Sequence, residues 1–119
     1  MRKAIVLGLF VAACGGGDGG FPPESGVEPA QPVSALTAGD INTLCAWSID
    51  AEGGAGHVHE CGDGIEVTTA TVAACEADLA GWTCTATVAQ YEECINATGG
   101  DACRLLSEQV CSFFFECSL

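Results

Sequence analysis

The sequence predicts a small disulfide-rich α+β domain, mainly α with a short β-hairpin, in which about four short helices are stapled by four disulfides. Three observations predict this fold class. Eight cysteines are concentrated in the last two thirds of the chain, helix-capping residues precede apolar stripes of helical period, and a glycine-flanked turn separates two segments of alternating polarity. A domain of about 80 residues buries a marginal core, so covalent staples are expected.

The cysteines are expected to pair with one another rather than to bind a metal. An even set in an exported chain is typical of disulfides. The chain lacks the C-x2-C knuckle of zinc sites and the C-x-x-C of a cysteine-based oxidoreductase, which we keep as a weaker alternative. The sequence spacing of the cysteines does not determine which of them are bonded to each other. The disulfide pairing therefore stays open for the eight residues Cys45, Cys61, Cys75, Cys84, Cys94, Cys103, Cys111 and Cys117.

The first elements are a helix and a hairpin. A capping box from Thr37 to Asp40 precedes apolar residues at near-helical spacing and predicts a helix at about 38–48, which the glycine-rich loop 53–56 ends. Residues 57–61 and 65–69 alternate apolar with polar side chains around Gly-Asp-Gly, which predicts a short β-hairpin.

The pentapeptide TATVA occurs at 69–73 and again at 85–89. Each copy predicts a strand that enters a helix, and Gly81 and Gly99 are natural helix stops. Thr87 with Gln90 forms a second capping box. A recurring strand-to-helix cap is favoured over a duplicated binding unit. The helical stripes that follow are Val72, Cys75 and Leu79 in the first copy and Val88, Tyr91 and Ile95 in the second.

A last helix is predicted after Asp101, which can cap it. Phe113 and Phe115 flank its apolar stripe and cannot both lie at the centre, so the hairpin is expected to cover them. If one of the two stays exposed, it is the best candidate for a contact with a partner. The predicted stripe consists of Cys103, Leu106, Val110, Phe114 and Cys117.

The ninth cysteine, Cys14, stands apart from the others. A basic start at 1–3 and ten apolar residues at 4–13 precede it, which is the pattern of an export signal. Ten residues rise roughly 15 Å as a helix, about half of the hydrocarbon core of a bilayer. This segment is therefore too short for a stable membrane span.

The four residues VAAC at 11–14 resemble the lipobox of bacterial lipoproteins. The resemblance implies that the Cys14 thiol carries a lipid, that cleavage occurs just before it, and that Gly15 directs the product to the outer membrane. An ordinary secretory signal with Cys14 as an idle thiol is the alternative. The implied organisation is a lipoprotein signal peptide at 1–13, a lipidated, flexible Gly/Pro/acidic tether at 14–36 and a cysteine-rich globular domain at 37–119.

After Cys14 the chain resembles known proteins in its amino-acid composition and not in a specific motif. Signal, acidic tether and small cysteine-rich domain together resemble cysteine-rich lipoproteins of myxobacterial type. The resemblance carries no functional residues. The lipobox implies that the membrane is a partner, through the lipid on Cys14, and we expect an envelope protein as a further partner.

Charge narrows the choice of partners. The chain has 16 acidic and three basic residues, and two of the bases, Arg2 and Lys3, lie in the signal. Arg104 is then the only basic side chain of the mature protein. Binding to nucleic acid is disfavoured, because each phosphate contact needs a Lys or Arg. A solvated acidic surface suits an exported protein.

The sequence contains no catalytic signature, and we expect no cofactor and no enzymatic activity. The expected function is that of an interaction or structural module. The alternative is a small periplasmic protein that binds a metal or ligand through His57 and His59, which with Cys61 would share one face of a strand. Solvent-facing histidines and a disulfide at Cys61 are favoured over a metal site.

Overall fold

The structure, a computed structural model, describes residues 22–117 and confirms the small disulfide-rich α+β fold. A two-stranded antiparallel hairpin, β1 (Val58–Gly62) and β2 (Ile65–Thr68), accompanies four helices. Within the described residues, no helix has the length and apolar character needed to cross a membrane. The helices are α1 (Ala38–Ala51), α2 (Val72–Ala80), α3 (Val88–Thr98) and the short α4 (Phe113–Cys117).

The eight cysteines of the domain form four disulfides, as the even count predicts. Their Cα atoms lie 4.8 to 5.8 Å apart, within the range for the bond. Such a set indicates an oxidising, extracytoplasmic environment. The pairs are Cys45–Cys75 between α1 and α2, Cys61–Cys103, Cys84–Cys117 and Cys94–Cys111.

Threonine caps begin the three longer helices. Thr37 accepts the backbone N–H of Asp40, and Thr71 accepts that of Ala74. Thr87 and Gln90 form the complete capping box that the sequence predicts. Gly99 ends α3 at a positive φ of 61°, a conformation that favours glycine. These features depend on neighbouring residues only, which is why sequence reasoning finds them.

The strands predicted at the two TATVA copies are wrong, although the caps within them are present. The strand β2 ends at Thr68, so it stops before the first copy, and residues 69–71 are irregular. In the second copy only Thr87 pairs, in one isolated bridge to Pro32. The repeat is therefore a helix-capping signal, since Thr71 and Thr87 cap α2 and α3 whereas neither threonine run forms a strand.

The predicted domain boundary at Thr37 is also wrong, because residues 22–36 pack on the domain. Val27 and Val33 are buried core residues. The backbone N–H of Val33 donates to the carbonyl of Ala86 at 2.8 Å, and both the N–H and the hydroxyl of Ser25 donate to the carboxylate of Glu92. We call residues 22–36 the N-terminal strap. The signal, Cys14 and the tether up to residue 21 lie outside the described residues.

The predicted last helix is broken into short pieces, because its three cysteines form disulfides with three different parts of the domain. Cys103 is tied to the hairpin, Cys111 to α3 and Cys117 to the loop after α2. Leu106 and Val110, predicted to face inward, are exposed. The pieces are the 3-10 turns Ala102–Leu106 and Gln109–Cys111, followed by α4.

An aromatic cluster closes the core beside α4. Trp82 packs edge-on against Phe114 at 5.4 Å and against Phe113 at 6.1 Å between ring centroids. Tyr91 completes the cluster at 5.3 Å from Phe114. Phe113 packs against Trp82 and Phe114 and is partly buried, whereas Phe115 is 54% exposed. The prediction that both are covered is therefore wrong for Phe115.

A substitution in the N-terminal strap tests whether it belongs to the folded domain. Val33 is 1% exposed, so Val33→Ala should lower the free energy of unfolding by about 2 kcal/mol through lost burial and a residual cavity. Guanidinium unfolding with the disulfides intact measures this change. The neighbouring exposed Ser34→Ala is the matched control and should change little. Equal stability of the two variants would mean that the strap does not pack on the core.

Candidate functional site

A half-enclosed cavity of about 300 Å³ lies where α1, α2 and α3 meet the C-terminal segment. Its walls are mostly apolar, and Ile49, Leu79, Ile95 and Phe114 line them. The exposed residues Ala70, Ala74 and Asp78 mark the side that faces solvent. The volume is at the lower end of the roughly 300–1,000 Å³ that small-molecule sites span.

Glu52 is a buried acidic residue that lines this cavity. It follows the last residue of α1, and the glycines after it turn the chain away at positive φ. The side chain is 8% exposed, and its Oε2 has no hydrogen-bond partner. Burial raises the pKa of the Glu52 carboxyl from 4.5 to about 7. An unpartnered buried polar atom costs about 1–3 kcal/mol, which marks Glu52 as an exception that needs a reason.

Two other polar groups of the cavity, the hydroxyls of Tyr91 and Ser48, are hydrogen-bonded within the protein. The Tyr91 hydroxyl donates to Ser48 Oγ at 3.0 Å, and Ser48 Oγ donates to the carbonyl of Cys45. Burial raises the pKa of Tyr91 to about 12, and the nearby charges of Glu52 and Asp78 act in the same direction. The Tyr91 phenol is therefore neutral at physiological pH and serves as a fixed donor.

Comparison with protein-family models, with curated proteins and with solved structures finds no match for this chain. The chemistry of the site is therefore inferred from its own geometry.

His59 is a structural residue of the core rather than an open metal ligand. Its Nδ1 accepts the backbone N–H of Ala102 at 3.4 Å, and its Nε2 lies 2.9 Å from Thr69 Oγ1. Thr69 Oγ1 in turn donates to the carbonyl of Glu52 at 3.2 Å. This chain of bonds fits one neutral tautomer, with the proton on Nε2. The network ties the hairpin to both α1 and the C-terminal segment.

The predicted pairing of His57 and His59 is only partly reproduced. Their rings touch edge to face at 4.6 Å, but His57 is exposed while His59 is buried. Cys61 forms a disulfide with Cys103, so its sulfur is not a free thiolate ligand for a metal. Among residues 22–117 no three His, Cys, Asp or Glu side chains are grouped so as to hold a metal ion.

Glu52 is the functional candidate that sequence reasoning missed. Ile41, Cys45 and Ser48 are buried along α1, and Glu52 continues that row by one more turn. The helical spacing of this row could therefore have predicted that Glu52 is a buried acidic residue. Its importance depends on α2 and α3, which enclose it and are distant in sequence.

The pH dependence of stability tests the state of Glu52. Between about pH 4.5 and 7 the folded chain holds a proton that the unfolded chain has lost, so the free energy of unfolding falls as pH rises. Glu52→Gln removes this dependence. The stability of the variant relative to wild type should therefore rise by roughly 2 kcal/mol from pH 5 to pH 8. Denaturant unfolding at both pH values measures it.

The exposed Glu93→Gln makes the same change in charge outside the cavity and serves as the control. It should show a much smaller pH-dependent difference. A Glu52→Gln difference that is the same at pH 5 and pH 8 would mean that the Glu52 carboxyl titrates as an ordinary exposed acid.

Proposed function

We propose that this chain is a lipid-anchored, non-enzymatic interaction module of the cell envelope, held at the outer membrane through Cys14. The observation that carries the proposal is a domain joined by four disulfides that follows a predicted export signal ending in VAAC. Disulfides of this density suit a protein that works outside the cytoplasm. The lipid, rather than charge, supplies the attachment, since the mature chain has one basic side chain.

Three buried ionisable groups other than Glu52, those of His59, Tyr91 and Glu92, have structural uses that support a non-enzymatic role. Both ring nitrogens of His59 are engaged in structural bonds, and the Tyr91 phenol is buried and bonded to Ser48. Glu92 accepts two hydrogen bonds from Ser25 and so anchors the N-terminal strap. Groups committed in this way hold the fold together and are poorly placed to transfer protons to a substrate.

Phe115 is the aromatic side chain that we assign to a partner contact. Of the two phenylalanines singled out from the sequence, Phe113 is packed against Trp82, whereas Phe115 leaves half of its ring in solvent. Exposed aromatic side chains are frequent anchors of protein interfaces. An envelope protein that contacts α4 is the kind of partner this arrangement suits.

The attachment of lipid is tested by metabolic labelling with a fatty-acid analogue. The wild-type chain should be labelled and should fractionate with membranes, because the Cys14 thiol carries the lipid. Cys14→Ser should abolish both, whereas Gly17→Ser, a nearby change that keeps the thiol, should abolish neither. Label that persists in Cys14→Ser would contradict the anchor.

A further inference from the structure

The buried polar side chains of the described domain have one conspicuous exception. Glu52 alone among the buried charged and polar residues has a side-chain oxygen with no bonding partner. The one other such atom, the indole nitrogen of Trp82, belongs to a side chain that does not line the cavity. The five whose hydrogen bonds are satisfied are Ser48, His59, Thr69, Glu92 and Thr98.

The position of Glu52 at the cavity indicates that its unpaired carboxyl group can bind a ligand. The side chain lines a cavity whose remaining surface is mainly apolar, contributed by Ile49, Leu79, Ile95 and Phe114. A few polar groups among mainly apolar walls are the usual composition of a small-molecule site, in which the polar groups orient the ligand. A donor on a bound molecule would supply the hydrogen bond that the protein does not.

Charge decides which kind of donor fits. The ionisable side chains that line the cavity are Glu52, Asp78 and Tyr91, and none of them is basic. Arg104, the only basic residue among those described, is engaged with Glu108. The electrostatic potential of this site therefore attracts a cation and repels carboxylates and phosphates.

We propose that this cavity binds a small apolar molecule that carries a protonated amine, with the ammonium group on Glu52 and the apolar body between α1, α2 and α3. The proposal goes beyond the anchoring role, and neither depends on the other. The size of the cavity suits a single small ring with a short arm. The ammonium group donates to the Glu52 carboxyl group, and the ring displaces water from the apolar walls.

Binding should depend on pH through Glu52, because an ammonium group prefers the ionised carboxylate. The pKa of about 7 leaves roughly one tenth of this group ionised at pH 6 and most of it ionised at pH 8. The other titratable groups that face this region are Asp78 from α2, Tyr91 from α3 and, through Thr69, His59 from β1. A variant at Glu52 separates its contribution from theirs.

Benzylamine is a suitable probe, since it is protonated from pH 6 to pH 8 and has one ring and one amine. The protein is the oxidised chain from residue 14 with Cys14→Ser, which keeps all described residues. Amide NMR titration should give a Kd of about 1 mM or tighter at pH 8, with shifts at Ile49, Leu79 and Phe114. Binding should be about tenfold weaker at pH 6.

Matched probes and variants test whether binding depends on the amine of the ligand and on the carboxylate of Glu52. Benzyl alcohol, a neutral analogue of the same shape, should bind at least tenfold more weakly than benzylamine at pH 8. Glu52→Gln should lose the same factor and the pH dependence, whereas Glu93→Gln, outside the cavity, should stay within twofold of wild type. Ala74→Arg, on an exposed position of the rim, places a cation at the site and should also weaken binding.

Several results would overturn the proposal. Benzyl alcohol binding as tightly as benzylamine would show an apolar cavity without amine recognition. Unchanged affinity in both Glu52→Gln and Ala74→Arg would place the probe elsewhere, and absence of any shift at 10-fold above the expected Kd would mean that the cavity does not take this class of ligand.

Discussion

Each of the four disulfides joins segments that are distant in sequence, by 17 to 42 positions, and together they fix elements that are too short to be stable alone. Loop-entropy estimates give about 3–4 kcal/mol for a closure of this size. Three of the four bonds hold the irregular segment after α3, which contributes Leu105 and Phe114 to the cavity. The fourth, Cys45–Cys75, fixes α1 against α2, and Cys75 lies in the cavity wall. The walls around Glu52 thus depend on covalent links.

Hydrogen bonds attach the N-terminal strap and the hairpin to the helices that the disulfides hold together. The N-terminal strap is attached through Ser25 to Glu92 and through backbone bonds to the segment that enters α3. The bonds of His59 and Thr69 join the hairpin to the end of α1. These buried polar groups are satisfied by the fold itself. Glu52 is not, and its raised pKa is the electrostatic consequence of the same enclosure.

Sequence reasoning predicts the features that short-range interactions determine. The hairpin, the caps at Thr37 and Thr87 and the glycine stop at Gly99 all depend on residues a few positions apart. The disulfide-rich fold class follows from the even count of cysteines in the domain. The errors are long-range ones. The last helix is broken by bonds to three distant cysteines, and the strap looks like a tether because nothing local shows that Val27 and Val33 reach the core. The cavity at Glu52 was missed for the same reason, since its walls come from five segments.

Peptide mapping tests whether these four disulfide pairs define the domain. The exported chain is alkylated under denaturing, non-reducing conditions, digested at acid pH to prevent exchange, and analysed by mass spectrometry. The account predicts that none of the eight cysteines is alkylated and that the cross-linked peptides join Cys45–Cys75, Cys61–Cys103, Cys84–Cys117 and Cys94–Cys111. A different pairing, or alkylation of two or more of the eight, would contradict it.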